Sequence, residues 1–402
     1  MNKKKVVVTV GCRPDCIKMM PLVKELKKRS GLETILLSTG QHRQMLDQVF
    51  DVFGEHPDYD LEIMKPGQSL FDITTNILNK IKSALEEIKP DVVLVHGDTS
   101  TAFVTALACF YMQIPVGHVE AGLRTYNIYS PFPEEFNRQG IGLIAKYNFA
   151  PTKLAKQNLL SEGKKEEGIY VTGNTVIDAM SHTVKADYTH PELDWVGNNK
   201  LIFITAHRRE NLGEPMHNMF RAIRRVLDEH PDVRAIYPIH MNPLVRQAAD
   251  EELGDCKQIH IIEPIEVFDC HNFEAKSYLI LTDSGGIQEE APAYGVPVLV
   301  MRDTTERPEG VDAGTLKLVG TNEDVIYNEF TKLLDDKSEY SKMAKAVNPY
   351  GDGHACKRIA DVLEGKPYNP FSHNGGQTDG LVQRVQPYGF CVTYDGPEIE
   401  CR

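Results

Sequence analysis

Asp283-Ser284-Gly285-Gly286 follows the short apolar run Leu279-Ile280-Leu281, and a helix-like stretch opens at Ile287. Strand, Ser-Gly-Gly turn and helix in that order build an anion seat. The glycines let the backbone come close, and first-turn N–H groups point at the ligand with the helix dipole behind them. Glu290 lies one to two turns further on, too far down for phosphate but suited to accept both hydroxyls of a ribose. Arg307, beyond a further strand, is a planar donor for phosphate oxygens. Together they read as a seat for a phosphorylated, ribose-bearing ligand. Ser-Gly-Gly alone would equally suit an ordinary βα turn.

Four more clusters stand at expected strand ends. In Gly11-Cys12-Arg13-Pro14-Asp15-Cys16-Ile17-Lys18, after KVVVTV, Arg13 and Lys18 flank a helix start where positive side chains and N–H groups bind phosphate together. Surface charges at a helix start are the plainer reading. After VVLVH comes Gly97-Asp98-Thr99-Ser100, where Asp98 is either a chemical carboxylate or the helix N-cap. Glu120 ends PVGHV, where a charge gains nothing from packing, and Glu134 and Glu135 follow Pro131 and Pro133 at a helix entrance. First-turn acids favour the helix dipole, so one of that pair is structural. His207, followed by Arg208 and Arg209, ends LIFITA, and PIHMNP later supplies His240. A lone histidine is usually a satisfied core or surface residue, but here it shares a chain with three placed carboxylates. Gly140-Ile141-Gly142-Leu143-Ile144-Ala145 matches a dinucleotide fingerprint by letter only. It follows a polar helical stretch, whereas that fingerprint follows a strand.

These residues must be positioned by the elements between them. Strand-like runs fall at 5–10, 33–38, 92–96, 115–119, 147–150, 201–206, 233–239, 258–262, 278–282, 297–301 and 315–319. Amphipathic stretches at 17–29, 71–88, 101–111, 216–229 and 322–335 alternate with them, the rhythm of parallel sheets with helices on both faces. The rhythm loosens at 183–199, so a domain boundary falls there or as early as the turn at Gly173. Two doubly wound domains facing each other place a cleft at their strand C-termini. The 402 residues suit two domains rather than one core. A net charge of −13 argues against a nucleic-acid surface, so an anionic ligand must be held by local Arg, Lys and helix N-termini. No apolar run approaches the roughly 18 residues of a membrane span, and no secretory signal precedes the first strand. Eight cysteines without a CxxC pair predict neither disulfides nor a metal site, and a cytoplasmic location.

Nine blocks in order resemble the non-hydrolysing UDP-N-acetylglucosamine 2-epimerases: GCRPDCIKMMP, TGQHRQMLDQVF, VHGDTSTA, HVEAGLRT, SPFPEEFNR, VTGNTVIDA, TAHRREN, PIHMNP and TDSGGIQEEAP with RDTTERPE. The resemblance runs from Val6 to Leu363. It implies an α/β chain of two Rossmann-like, doubly wound domains facing a cleft, a GT-B-like fold. These would cover 1–172 and 173–352, with a helix at 353–366 returning to the first domain and a tail at 367–402. It implies interconversion of UDP-N-acetylglucosamine and UDP-N-acetylmannosamine for surface polysaccharide synthesis, by a homodimer with no cofactor. The sugar C2 proton is not beside a carbonyl, so direct abstraction would leave an unstabilised carbanion. Phosphate seats without a nicotinamide site favour expelling UDP from C1 as C2 loses its proton, then adding it back.

By this resemblance Asp98, Glu120, Glu134 and His207 are the catalytic set. Arg13, Lys18, Ser284, Gly285, Gly286, Glu290 and Arg307 hold the nucleotide-sugar, with UDP-N-acetylglucosamine and UDP as ligands. Gln41, Gln44, Arg208 and His240, with Glu134, match a site where a second substrate molecule activates many bacterial members. The chain departs from the family at Cys12, Asp15 and Cys16, where GTRPEA is usual, and at Gly67, where an Arg is often found. It also lacks an aromatic near Cys270, with Phe268 and Phe273 beside it. A GT-B glycosyltransferase, a hydrolysing epimerase and a non-catalytic nucleotide-sugar sensor are the competing classes.

Overall fold

The computed structural model describes residues 3–40, 43–65 and 67–372, the side chains of 43–45 excepted. Gln41 and the side chain of Gln44 therefore lie outside the described residues, as does the chain beyond residue 372. Two parallel sheets carry the molecule. The first comprises β1 (Lys4–Val10), β2 (Leu32–Ser38), β3 (Tyr59–Asp60), β4 (Val92–His96), β5 (Val116–Val119), β6 (Tyr147–Ala150) and β7 (Ile169–Val171), in the order β3-β2-β1-β4-β5-β6-β7. The second comprises β8 (Lys200–Thr205), β9 (Val233–Pro238), β10 (Ile259–Ile262), β11 (Leu279–Thr282), β12 (Val298–Val300) and β13 (Leu316–Leu318), in the order β10-β9-β8-β11-β12-β13.

The strands read as apolar runs because both faces are covered by helices. In β1, Val6, Val8 and Val10 pack with Met19, Met20 and Val23 of the helix Arg13–Lys27. Val7 points the other way, onto Ile77 and Ile81 of the helix Leu70–Ile88. In β8, Ile202 and Ile204 meet Phe220 and Ile223 of the helix Glu214–Glu229, while Leu201 and Phe203 meet Phe273 and Ile287. Each sheet reverses winding direction once, between β1 and β4 and between β8 and β11. Ligands of doubly wound sheets bind outside the strand ends at such points. Arg13 and Asp98 follow β1 and β4; His207 and Ser284 follow β8 and β11.

Several local readings are corrected. The first helix opens at Arg13 rather than 17, since the Asp15 carboxylate takes the Gly11 and Cys12 N–H groups (3.3 and 3.0 Å) and Pro14 needs no donor there. Lys18 is thus inside the helix, not at its mouth. The helix after β11 opens at Gly285, two residues before the expected Ile287. Two edge strands, β3 and β7, escaped the sequence reading because two and three residues give no periodicity. The helix Ala355–Leu363 packs Ile359 and Leu363 into the same cluster as Met20 and Val23. Asp178 caps it by accepting the N–H groups of Ala355 and Cys356 (3.2 and 2.9 Å). Residues 367–372, read as the start of a tail, are held: the Phe371 N–H donates to the Val171 carbonyl (2.9 Å), and its ring is buried. The fingerprint-like Gly140–Ala145 segment lies largely within the helix Glu134–Ile144.

Candidate active site

Glu120 leaves the end of β5 in a left-handed conformation (φ 65°), which turns its carboxylate back over the strand ends. Lys18 Nζ lies 2.6 Å from Glu120 Oε2, with side chains only 14% and 9% exposed. Burial would raise the Glu120 carboxyl, but Lys18, with the Asn174 amide, holds it well below the usual carboxylate range. Burial would likewise lower Lys18, yet Glu120 and Glu289 keep it firmly charged. The sequence placed Lys18 on phosphate; the structure places it on this carboxylate. His96 Nε2 is buried 3.6 Å from the same oxygen, and burial lowers that imidazole to about 4, so it stays neutral.

The link to the second sheet is Asn174, at the start of the helix Thr175–Thr183. Its amide nitrogen donates to Glu120 Oε2 (2.8 Å) and to Glu289 Oε2 (2.6 Å). Glu289 Oε1 in turn accepts from Arg307 Nε (2.7 Å), and Arg307 Nη1 donates to Glu306 (2.6 Å). A hydrogen-bonded row, Lys18–Glu120–Asn174–Glu289–Arg307, with cations at its ends and the neutral amide between two carboxylates, therefore crosses between the two sheets. Arg13 reaches across as well, its Nη1 lying 3.6 Å from Glu266.

Asp98 ends the turn after β4. The helix Ser100–Tyr111 is capped by Thr99, whose hydroxyl accepts the Ala102 N–H (3.1 Å), so the capping role does not fall to Asp98. Asp98 pairs instead with Arg138. Burial raises its carboxyl; Arg138 opposes that rise, and Glu120 and Glu134 add to it. The Glu134/Glu135 ambiguity also resolves. Glu135 is fully buried and accepts the Thr125 and Tyr126 N–H groups (both 3.0 Å), a structural role. Glu134 is half-buried at the helix entrance, near enough for its charge to act on Asp98.

On the second sheet, buried Asp283 organises the loop after β8. Its Oδ2 accepts the N–H groups of His207 (2.9 Å) and Arg208 (2.8 Å) and the Asn211 amide (3.2 Å). His207 stacks on His240 with ring centroids 5.4 Å apart. Burial lowers the His207 pKa, Asp283 opposes this, and His240 and Arg208 reinforce it, so the ring is neutral at pH 7. Ser284 heads the Gly-Gly turn, where a Cβ on Gly285 would lie 2.6 Å from Arg307 Nη1. A side chain at Gly285 would push that guanidinium off the turn. Glu290 folds back towards the same turn, its Oε1 3.1 Å from where a Gly286 Cβ would be. Burial pushes its carboxyl up to about 7.

The cleft thus gathers Arg13, Lys18, Glu120, Glu290 and Arg307, with the Ser284 turn below Arg307. Asp98 and Glu134 stand on the first-sheet side and His207, Arg208 and His240 on the second, with no hydrogen bond joining the two groups among the described residues. Asn174, Arg138, Glu289, His96 and Asp283 were missed. Each lay inside or beside a quoted block, but their partners are far apart in sequence. Among the described residues no cluster of His, Cys, Asp or Glu could hold a metal ion, and no helix is long and apolar enough to cross a membrane.

Two parallel-sheet α/β units with phosphate-type donors on one and carboxylates on the other are a GT-B-like architecture. A family model described as UDP-N-acetylglucosamine 2-epimerase matches residues 24–364. The chain belongs to that family. It is 60% identical over 363 residues to the UDP-N-acetylglucosamine 2-epimerase of Bacillus subtilis (strain 168), covering 90% of this chain and 96% of that one. A crystal structure of a UDP-N-acetylglucosamine 2-epimerase is 56% identical with a TM-score of 0.86, covering 92% of this chain and 100% of that one. The Neisseria meningitidis enzyme, solved bound to UDP-GlcNAc, is 48% identical with a TM-score of 0.81, covering 89% and 99%.

Proposed function

We propose that this chain interconverts UDP-N-acetylglucosamine and UDP-N-acetylmannosamine by eliminating UDP and adding it back. The observation that carries this is the charge row from Lys18 and Glu120 through Asn174 to Glu289 and Arg307, beside the Ser284 turn. It supports the reading because carboxylates suited to work at C2 lie next to cations suited to a diphosphate. In the forward direction a base takes the C2 proton, the C–H electron pair forms the C1–C2 double bond, and the C1–O bond breaks to release UDP. The bound 2-acetamidoglucal then takes a proton on the other face of C2 while the UDP oxygen re-forms its bond to C1.

Asp98, Glu120 and Glu134 are the proton-transfer groups and neutral His207 assists at the diphosphate end. Arg13, Arg307 and the Ser284, Gly285 and Gly286 backbone stabilise the charge that builds on departing UDP. Lys18 leaves Glu120 for the diphosphate as substrate enters, which frees the carboxylate to act as a base. Glu290 accepts the ribose hydroxyls. We assign the units as 1–172, 173–352 and 353–372, and the enzyme as a cytoplasmic homodimer serving polysaccharide synthesis. Arg208 and His240, with Gln41 and Gln44, form the activator site.

Incubation with UDP-N-acetylglucosamine, followed by proton NMR, tests the reading. Intact UDP-N-acetylmannosamine is expected. Free N-acetylmannosamine with UDP would mean a hydrolysing enzyme. Sugar transferred to an added acceptor would mean a glycosyltransferase, and no turnover would mean a sensor.

A further inference from the structure

Glu274 is a fully buried carboxyl that the chemistry above does not use. It lies on the helix Val267–Lys276, its Oε1 accepts from Cys270 Sγ (3.2 Å), and its buried Oε2 has no donor among the described residues. What it faces, within hydrogen-bonding reach, is the carboxyl of Glu290. Two carboxyl groups in contact, one of them fully buried and the other half-buried, oppose being charged together, so one proton sits between them. Lys18 and Arg307 favour the charged form of Glu290. The groups acting on Glu274 are Cys270, Glu290 and Tyr294, none of them a cation. The proton therefore belongs to Glu274, and a protonated carboxyl is a hydrogen-bond donor.

We propose that Glu274 is a positioning residue for nucleotide recognition: as a neutral acid it donates to Glu290 and fixes that carboxylate to accept the 2′ and 3′ hydroxyls of a ribonucleoside diphosphate. This rests on the reading of Glu290 as the ribose acceptor. Without the donor, Glu290 would take up the proton itself or turn away, and in either case lose an acceptor for the sugar. The pair thereby selects ribose over deoxyribose.

Calorimetric titration of the full chain with UDP and with 2′,3′-dideoxy-UDP tests this in Glu274→Met, Glu274→Gln and Glu290→Gln. Glu274→Met should weaken UDP by about tenfold or more, the value of one hydrogen bond to a charged group. It should weaken dideoxy-UDP by less than about threefold. Glu274→Gln keeps a donor and should bind both ligands within about threefold of wild type. Equal losses for both ligands in Glu274→Met, or a loss in Glu274→Gln matching it, would overturn the proposal. Equal losses in Glu290→Gln would instead bring down the ribose reading itself. If Glu274→Met does not fold, infrared spectroscopy decides: wild type should show a protonated-carboxyl stretch at neutral pH that Glu274→Gln lacks. Its absence from wild type would overturn the proposal.

Discussion

Replacing Lys18 with Met would expose what holds Glu120 ionised. The pair is buried at 2.6 Å, and Lys18 is the strongest influence opposing the rise that burial would impose on Glu120. Removing one partner of a buried ion pair costs about 3–5 kcal/mol, which at about 1.4 kcal/mol per unit is a rise of about 2–4 pKa units. Asn174 still donates to the carboxylate, so the lower figure applies, about 2 units. In the wild type the folded pKa lies below the unfolded one. Glu120 then contributes stability above the unfolded value, and that contribution is lost as pH falls through the folded value. In Lys18→Met the folded value still lies below the unfolded one, but by about 2 units less, so the contribution is smaller and is lost at a higher pH. The variant is penalised at neutral pH and recovers relative to wild type on acidification. Two assays follow: kcat/KM against pH, which reports the free enzyme where Lys18 holds Glu120, and urea unfolding at pH 3 and pH 8. The variant should gain an acid limb in kcat/KM that wild type lacks, and its stability deficit should shrink at the lower pH. A raised KM with an unmoved pH profile and a constant deficit would refute the reasoning and leave Lys18 as a phosphate ligand only.

Glu134→Gln should cut kcat by about a hundredfold or more, the usual scale of a lost acid–base group, with little change in urea midpoint. Glu135→Gln should lower the midpoint, because the buried carboxylate that takes the Thr125 and Tyr126 N–H groups is gone; equal kcat losses without a midpoint change would exchange their roles. Asn174→Asp replaces a donor to two carboxylates by a third negative charge, so steady-state assays should show a larger activity loss than for Asn174→Ala; the reverse order would deny the bridge. Starting from UDP-N-acetylmannosamine, the reverse reaction should lag until a little UDP-N-acetylglucosamine is added, and His240→Ala should raise the amount required. A full initial rate in both proteins would mean that no second site operates.

The fold was legible because buried parallel strands announce themselves as apolar runs, and because charged or glycine-rich residues directly after such runs have no packing reason to be there. That reasoning found Arg13, Asp98, Glu120, His207 and Ser284 at their strand ends. It could not choose between Glu134 and Glu135, since a first-turn acid looks the same whether it faces the cleft or the backbone of residues 125 and 126. Nor could it find the partners. Asn174 donates to residues 54 and 115 positions away, and Asp283 holds a loop 75 and 76 positions before it. Lys18 was assigned by its neighbour Arg13, although one turn of helix sends it to Glu120. Gly67 is explained locally: at φ 70° it sits in a left-handed turn that an Arg would enter only with strain.

The most direct measurement of the central claim is isotope exchange at C2. Turnover of UDP-N-acetylglucosamine in deuterated water, without added NAD or metal, should place deuterium at C2 of both epimers, read by proton NMR and mass spectrometry. Retention of the original hydrogen through many turnovers, or a requirement for added NAD, would contradict elimination and re-addition.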